Sequence, residues 1–154
     1  ANTMDVYVDE IEHYYNELDT NETLDLTSLR LALSELESAG EAYERRLTTA
    51  TFTSPSVIHT HNDLLSELNR LIYTSERTLA YAGGLPKRAW FRHLVYAPGL
   101  YTGYGVKTLP GIREGVEEGA WDEARSYVTR AAAAVTALAA QVDQAADLLV
   151  QITQ

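Results

Sequence analysis

The chain has 154 residues, 45% of them hydrophobic and 22% charged, which is typical of one globular domain and excludes an intrinsically disordered chain. Its formal net charge of -10 argues against a nucleic-acid-binding protein, because such a protein has to neutralise phosphates. It contains no cysteine, so disulfides, thiolate metal sites and cysteine nucleophiles are excluded.

The most apolar stretch and the N-terminus of the chain show whether a membrane span or a signal peptide is expected. Residues 131–142 are too few and too rich in alanine to span a bilayer, so no membrane contact is expected. The N-terminus lacks the basic flank and apolar core of a signal peptide and begins inside a helical pattern. We therefore expect residues 1–154 to be a single domain excised from a larger protein. Asn21 begins a glycosylation sequon, which matters only if the chain enters a secretory lumen.

Two helices are predicted in the first third of the chain from apolar residues spaced three and four apart. The first has Asn2 or Thr3 as its N-cap and presents this stripe: Met4, Val8, Ile11, Tyr15 and Leu18. The second has Asp25 or Thr27 as its N-cap and presents a longer one: Leu26, Leu29, Leu33, Leu36, Gly40, Tyr43 and Leu47. A glycine within a helix costs about 1 kcal/mol relative to alanine, so Gly40 predicts a close crossing by another helix.

Two further helices follow. The third begins near Pro55, ends at Gly83-Gly84, and carries Ile58, His61, Leu65, Leu68, Ile72, Ser75 and Leu79. The fourth carries Ala124, Val128, Ala131, Val135, Leu138, Val142, Ala145, Leu149 and Ile152, and its other faces are also poor in charge. Four such stripes with few strand signals predict an all-α protein, a four-helix bundle with a long ordered loop between the third and fourth helices.

That connection, of about 36 residues, has no sustained periodicity, and loops of this length are usually functional. It differs from the rest of the chain in charge. Residues 83–119 hold five bases and three acids, and there is no acid from Gly83 to Arg113. The loop either lies on acidic residues of its own domain or meets an anionic ligand or partner.

Tyrosine is concentrated in the same loop, at Tyr96, Tyr101 and Tyr104, among ten in the chain. Tyrosine combines an apolar ring with a polar tip and is enriched at interfaces and in binding pockets. The alternative is that these rings anchor the loop to the helices.

Motifs that could carry catalysis are weak. His59, His61 and Asp63 are the one cluster with metal-ligand residue types, but a two-residue spacing places the histidines on different faces of a helix, and a helix N-terminus is the simpler interpretation. Glu117 and Glu118 are similarly splayed at a helix end. No triad, phosphate-binding loop or zinc motif is present, so the chain is not expected to be an enzyme by itself or to hold a cofactor.

At the loop the sequence resembles a known family. The segments GLP (84–86), RHLVYAP (92–98), PGI (110–112) and AW (120–121), together with Tyr104, resemble the transferrin receptor-like dimerisation domain of glutamate carboxypeptidase II and transferrin receptor proteins. The segment from His61 to Arg70 also looks like that family's third helix. The specific matches cover roughly residues 61–145, whereas residues 1–60 agree only in helix number and spacing.

The resemblance implies a non-catalytic C-terminal domain that forms homodimers within a zinc peptidase-like protein. The zinc would lie in a separate catalytic domain, which would be a second partner. The family's setting implies the secretory, vacuolar or extracellular side of a membrane. The loop residues implied to face the catalytic domain are Arg92, Tyr96, Pro98, Tyr101, Lys107 and Pro110. Ala132 and Ala139, small residues of the fourth helix, are candidates for the dimer surface.

In the carboxypeptidase branch a Lys-Tyr pair of this loop holds the carboxylates of a C-terminal glutamate. The resemblance places Gly103 and Tyr104 at those positions, so the aromatic donor is kept and the cation is lost. A charge-assisted hydrogen bond is typically worth about 1.5–3 kcal/mol, so glutamate specificity of the parent is in question. Lys107 is near enough in sequence to be considered as a substitute.

Two other hypotheses stay open. One is a free-standing helical adaptor that binds a protein through the tyrosine-rich loop. The other is a small metalloenzyme built on His59, His61 and Asp63, which predicts stoichiometric zinc.

Overall fold

The computed structural model of the chain describes residues 2–49, 61–103 and 105–153. They form five α-helices, one 3₁₀ helix and one two-stranded antiparallel sheet. In chain order these are α1 (Asn2–Asn16), α2 (Thr27–Thr49), α3 (Asn62–Thr74), the 3₁₀ helix (Ser75–Leu79), β1 (Tyr96–Pro98), β2 (Val106–Thr108), α4 (Pro110–Glu117) and α5 (Trp121–Ile152). The predominantly helical class predicted from the sequence is confirmed.

The centre of the fold is α5, which packs along the length of α2. Thr136 Oγ1 donates to Glu35 Oε2 at 3.3 Å, and Arg46 Nη1 donates to Asp147 Oδ1 at 2.7 Å. Both pairs join residues 101 apart, so the two helices run in the same direction in a constant register. Small buried residues on both helices allow this close approach: Ala32, Ala39, Ala131, Ala132 and Ala139.

The helices α1 and α3 run in the opposite direction. Met4 lies beside Gly40 late in α2, whereas Tyr15 contacts Trp121 at the start of α5. Glu67 lies beside Gln151 at the end of α5, whereas Thr74 accepts from Gln141. On α1, Asp9 and Glu12 both bind Arg30 of α2, while Val8 and Ile11 are fully buried. On the other side Gln141 Nε2 of α5 donates to the carbonyl of Leu71 at 2.5 Å. These are the four long helices that the sequence predicts; a four-helix bundle formed by them stays a prediction.

The third predicted helix is shorter than expected. It ends as an α-helix at Thr74 and continues as the 3₁₀ helix only to Leu79, not to Gly83-Gly84. Thr74 Oγ1 donates to the Arg70 carbonyl at 2.6 Å, a local bond that competes with the helical pattern. The predicted stripe also shifts, because Leu71 is buried whereas Ile72 is 47% exposed. The part of this helix predicted before His61 lies outside the described residues.

The explanation offered for Gly40 is wrong. A Cβ atom built on Gly40 would have no atom of the described structure within 4 Å, so no helix crosses closely there. Gly40 instead lies in a groove of about 550 Å³ between the start of α1, α2 and α5.

By length and composition α5 could cross a membrane, since its most apolar 18-residue window has a mean hydropathy of 1.2. Its place in the fold explains part of that apolarity, because it contacts α2, α3 and α4 and buries Val128, Val135 and Leu149. The central helix of a packed domain has the same composition.

Candidate functional site

The candidate site is the connecting segment, defined as residues 80–120. Its first part doubles back on the 3₁₀ helix, with Leu94 N–H donating to the Leu79 carbonyl at 2.9 Å and Tyr81 N–H donating to the Arg92 carbonyl at 2.8 Å. The turn between these arms needs Gly84, which has a φ of +69° and whose added Cβ would lie 2.5 Å from the Ala89 carbonyl carbon. This close approach explains the glycine in the GLP motif.

The second part is a short hairpin that the sequence did not predict. Tyr96, Ala97 and Pro98 of β1 face Thr108, Lys107 and Val106 of β2. The hairpin tip, of which residues 99–103 and 105 are described, is closed by Gly99 N–H donating to the Gly105 carbonyl at 2.9 Å. A strand of three residues is too short to show the alternation of apolar and polar residues by which strands are predicted from sequence.

A buried ion pair ties the turn, the tip and α4 together. Arg88 Nη2 lies 2.8 and 3.0 Å from the two carboxylate oxygens of Glu114, and the side chains are only 3% and 10% exposed. Leu100 N–H donates to the same carboxylate at 2.8 Å. Because a buried charge needs a partner, removing either side chain would leave the other uncompensated. The sequence feature that could have indicated this ion pair is Glu114, because it is the first acidic residue after the acid-free stretch from Gly83 to Arg113.

Three further cations of the segment are also paired within the chain. Lys87 binds Glu118, Lys107 binds Glu117, and Arg113 Nη2 lies 3.3 Å from Glu10 of α1. The Lys87 ammonium holds the pKa of the Glu118 carboxyl below its usual 4.5. Of the two explanations for the basic loop, a loop lying on acids of its own domain is therefore supported.

Arg92 differs from these four cations. Its side chain is exposed, and across residues 2–49, 61–103 and 105–153 no carboxylate lies within 4.0 Å of it. Lys107, considered as a substitute for the missing cation at Gly103, is bound to Glu117, and its role toward a substrate stays a prediction.

His93, Tyr96 and Glu76 form a cluster at the base of the hairpin. Nδ1 of His93 accepts from the backbone N–H groups of Val95 and Tyr96 at 3.3 and 3.2 Å. The Tyr96 hydroxyl donates to Glu76, and His93 Nε2 lies 3.7 Å from the same carboxylate oxygen. Burial lowers the pKa of His93 below 6.5, partly opposed by the Glu76 charge. The bond to Glu76 raises the pKa of Tyr96 above 10.

Four large apolar side chains of the segment are exposed. We call Trp90, Tyr96, Tyr101 and Val106 the aromatic face; they are 74%, 47%, 79% and 70% exposed. A cleft of about 370 Å³ separates Trp90 from the hairpin tip. Exposed aromatic side chains are enriched at interfaces, so the interface interpretation of the tyrosines is favoured for Tyr101, which is 79% exposed.

The remaining predicted loop residues have different environments. Pro98 is half-buried in β1, and Pro110 is buried at the first position of α4, where a missing N–H costs nothing. Gly103 is exposed at the tip with a φ of +61° and open space around it. Tyr104 lies outside the described residues.

The dimer-surface candidates on α5 need correction. Ala132 and Ala139 are 8% and 4% exposed because they pack in the core against α2, so their side chains cannot reach a second chain in this fold. The exposed side of α5 carries other small residues, which we call the small-residue face: Thr129, Ala133, Thr136, Ala137 and Ala140. Helical periodicity alone could not assign the faces of a helix that is apolar almost all round.

Metal binding finds no support in the part of the chain that the structure describes. No group of three or more histidines and carboxylates there could hold a metal ion. His61 directly precedes α3 and Asp63 lies in its first turn, as the helix N-terminus interpretation predicts; His59 lies outside the described residues. Glu117 and Glu118 bind separate lysines and do not form a catalytic pair.

Comparison with known proteins agrees with the resemblance seen in the sequence. The family described as the transferrin receptor-like dimerisation domain matches residues 24–143. A probable glutamate carboxypeptidase of Arthroderma benhamiae is 34% identical over 107 residues, which are 68% of this chain and 15% of that protein. Probable glutamate carboxypeptidase LAMP1 of Arabidopsis thaliana is 30% identical over 76 residues, 45% of this chain and 11% of that protein.

The family match covers more than half of the chain and includes the connecting segment, α2 and most of α5. The chain spans only a small part of the length of the two relatives. Their names describe much larger proteins, whereas the family description fits a helical module that implies self-association. The chain therefore belongs to the transferrin receptor-like dimerisation domain family.

Proposed function

We propose that this chain is the non-catalytic homodimerisation domain of a glutamate carboxypeptidase-like zinc peptidase. We further propose that residues 92–112 pack on the parent's catalytic domain and help to complete its substrate pocket. The observation that carries the proposal is the family match over residues 24–143. In this arrangement α1, α2, α3 and α5 are the four-helix bundle, residues 1–154 are one domain of the parent, and zinc belongs to the catalytic domain.

The small-residue face of α5 is the part of the domain that suits a second copy. Between Thr129 and Ala140 its exposed side chains are alanine and threonine only, and Leu31 of α2 is 61% exposed. Two copies of this surface can pair along its alanine and threonine side chains, and the Glu35 carboxylate, which accepts from Thr136, lies beside it on α2.

Light scattering coupled to size exclusion, over about a hundredfold range of concentration, tests self-association directly. Each chain has a mass of 17.1 kDa, so a species of twice that mass that persists on dilution supports the proposal. Ala137→Glu places a carboxylate on the small-residue face and is expected to weaken the dimer at least about tenfold, because a charge would have to be desolvated there.

Asn69→Glu is the matched control, since it adds the same charge to an exposed position of α3. Equal weakening by both variants would contradict a dimer surface on α5. A monomer at every concentration would contradict self-association of this chain.

The aromatic face is the part that suits the catalytic domain. Lys87, Arg88 and Lys107 are paired within the chain, so the surface offered to a partner combines exposed aromatic side chains with the Arg92 cation. Truncating Trp90 and Tyr101 to alanine in the intact parent is expected to raise the substrate KM with little effect on the stability of the isolated domain, because both side chains are largely exposed. An unchanged KM would contradict the packing proposal.

Gly103→Lys tests the substrate class in the same parent protein. It would restore the family's cation at a position with open space, although the φ of +61° disfavours a side chain. If Gly103→Lys improves the binding of a C-terminal glutamate, the missing cation at position 103 accounts for weaker glutamate specificity in the native parent. No improvement would mean that the substrate carboxylate is held elsewhere.

The second candidate function is a free-standing adaptor, favoured by the high exposure of Trp90 and Tyr101. It predicts that a separate protein, not a catalytic domain in the same polypeptide, covers the aromatic face. Cross-linking from Tyr101 in the native protein distinguishes the two, because each predicts a different cross-linked sequence.

A further inference from the structure

The Glu76, His93 and Tyr96 cluster lies where the connecting segment enters its hairpin. His93 is the residue before a buried pair, Leu94 and Val95, and its ring stacks on Tyr96 with centroids 4.0 Å apart. Leu94 is anchored by its bond to the Leu79 carbonyl, and Leu109 beyond β2 donates to the Val95 carbonyl at 2.7 Å. Contacts of the His93 ring therefore act on the base of the hairpin, not on its exposed tip.

The hydrogen bonds of the ring define its charge state. Nδ1 accepts from two backbone N–H groups, so it carries a lone pair, and the neutral ring has its proton on Nε2. Nε2 is buried, and Glu76 is 3.7 Å away, beyond a direct hydrogen bond. A second proton can bind only at Nδ1, where it would meet two N–H donors.

We propose that His93 is an acid-sensitive latch: protonation of Nδ1 releases the amides of Val95 and Tyr96 and loosens the hairpin formed by β1 and β2. The proton comes from solvent, Nε2 keeps its own, and the two amides lose their acceptor. Among the described residues, the titratable groups that face the ring are Glu76 of the 3₁₀ helix and Tyr96 of β1. The Glu76 charge favours the protonated ring, whereas burial and the two amides oppose it.

The direction of the pH effect follows from the lowered pKa of His93 in the fold. The neutral ring stabilises the folded chain fully above the ordinary pKa of 6.5, and this contribution decreases as the pH falls below 6.5 toward the lower folded pKa. Under the proposed function, acid would weaken the contact with the catalytic domain. That consequence rests on the proposed function, whereas the latch is a property of this chain alone.

Amide hydrogen exchange on the ¹⁵N-labelled 154-residue chain tests the latch. Between about pH 7.5 and about pH 5, exchange of the Val95 and Tyr96 amides, corrected for the intrinsic rate, is expected to accelerate about tenfold relative to amides of α2. The ring resonances of His93 should titrate over the same range. Titration of His93 without any change at these two amides would overturn the proposal.

His93→Asn is the matched control, because its Oδ1 can accept N–H groups two and three residues ahead but does not titrate. It is expected to keep both amides protected at either pH; the same acid response as in the native chain would overturn the latch. Glu76→Gln removes the charge that favours protonation, so the response should move to lower pH. Neither variant alters the small-residue face. The latch proposal and the dimerisation proposal can therefore fail independently of each other.

Discussion

The four long helices α1, α2, α3 and α5, which we call the helical frame, and the connecting segment are stabilised by different kinds of contact. The frame is held by continuous apolar packing, in which Leu33, Val135 and Leu149 are each only 1% exposed. The segment is held by individual polar contacts, chiefly the Arg88–Glu114 ion pair and the Tyr127 hydroxyl, which donates to the Gly84 carbonyl at 2.5 Å. Apolar packing spreads its free energy over many atoms, whereas each polar contact of the segment depends on one or two.

The largest expected effect comes from breaking the buried ion pair of the segment. Glu114→Ala leaves the Arg88 guanidinium buried without its counter-charge and removes the acceptor of Leu100 N–H, so we expect a loss of about 3–5 kcal/mol in the free energy of unfolding. Chemical denaturation measures it. Glu118→Ala is the control, since it removes an acid from the neighbouring exposed pair with Lys87 and should change stability little. Equal losses would show that burial of the pair is unimportant.

A smaller loss is expected where the segment meets the frame. The Cβ of Gly111→Ala in α4 would lie 2.5 Å from Cγ of Tyr127, a ring that Arg130 and the bond to Gly84 hold in place. Overpacking of this kind costs about 1–3 kcal/mol, and thermal unfolding should show a lower Tm. A neutral result would mean that Tyr127 can move aside, in which case Tyr127→Phe should also be neutral.

The smallest effect has the opposite sign and belongs to the frame. Gly40→Ala adds a methyl group in open space within α2 and should raise the free energy of unfolding by about 0.5–1 kcal/mol, because alanine is the better helix former. The same denaturation measurement checks it. Destabilisation would indicate that the groove beside Gly40 is filled by a neighbour in the native protein.

The long helices could be predicted because their apolar residues recur with the helical period and each helix buries one face. The prediction worked for Leu29, Leu33 and Leu36 of α2 and was wrong for Ile72. Near Ile72 the α-helix is about to tighten into a 3₁₀ turn, so the buried position falls one residue earlier. The basic loop was noticed in the sequence, but its ion pairs were not, because pairing depends on how the chain packs; Glu10 and Arg113, for example, are 103 residues apart.

The amino-acid sequence by itself determined the helical class, the family and the position of the unusual segment, because these depend on local periodicity and on motifs that are contiguous in the chain. The tertiary structure alone decided which face of α5 is buried, that Ala132 and Ala139 belong to the core, and that four of the segment's cations are paired. These are long-range properties. A helix that is apolar on several faces, or a cation near many acids, has several acceptable partners until the chain packs and geometry selects one.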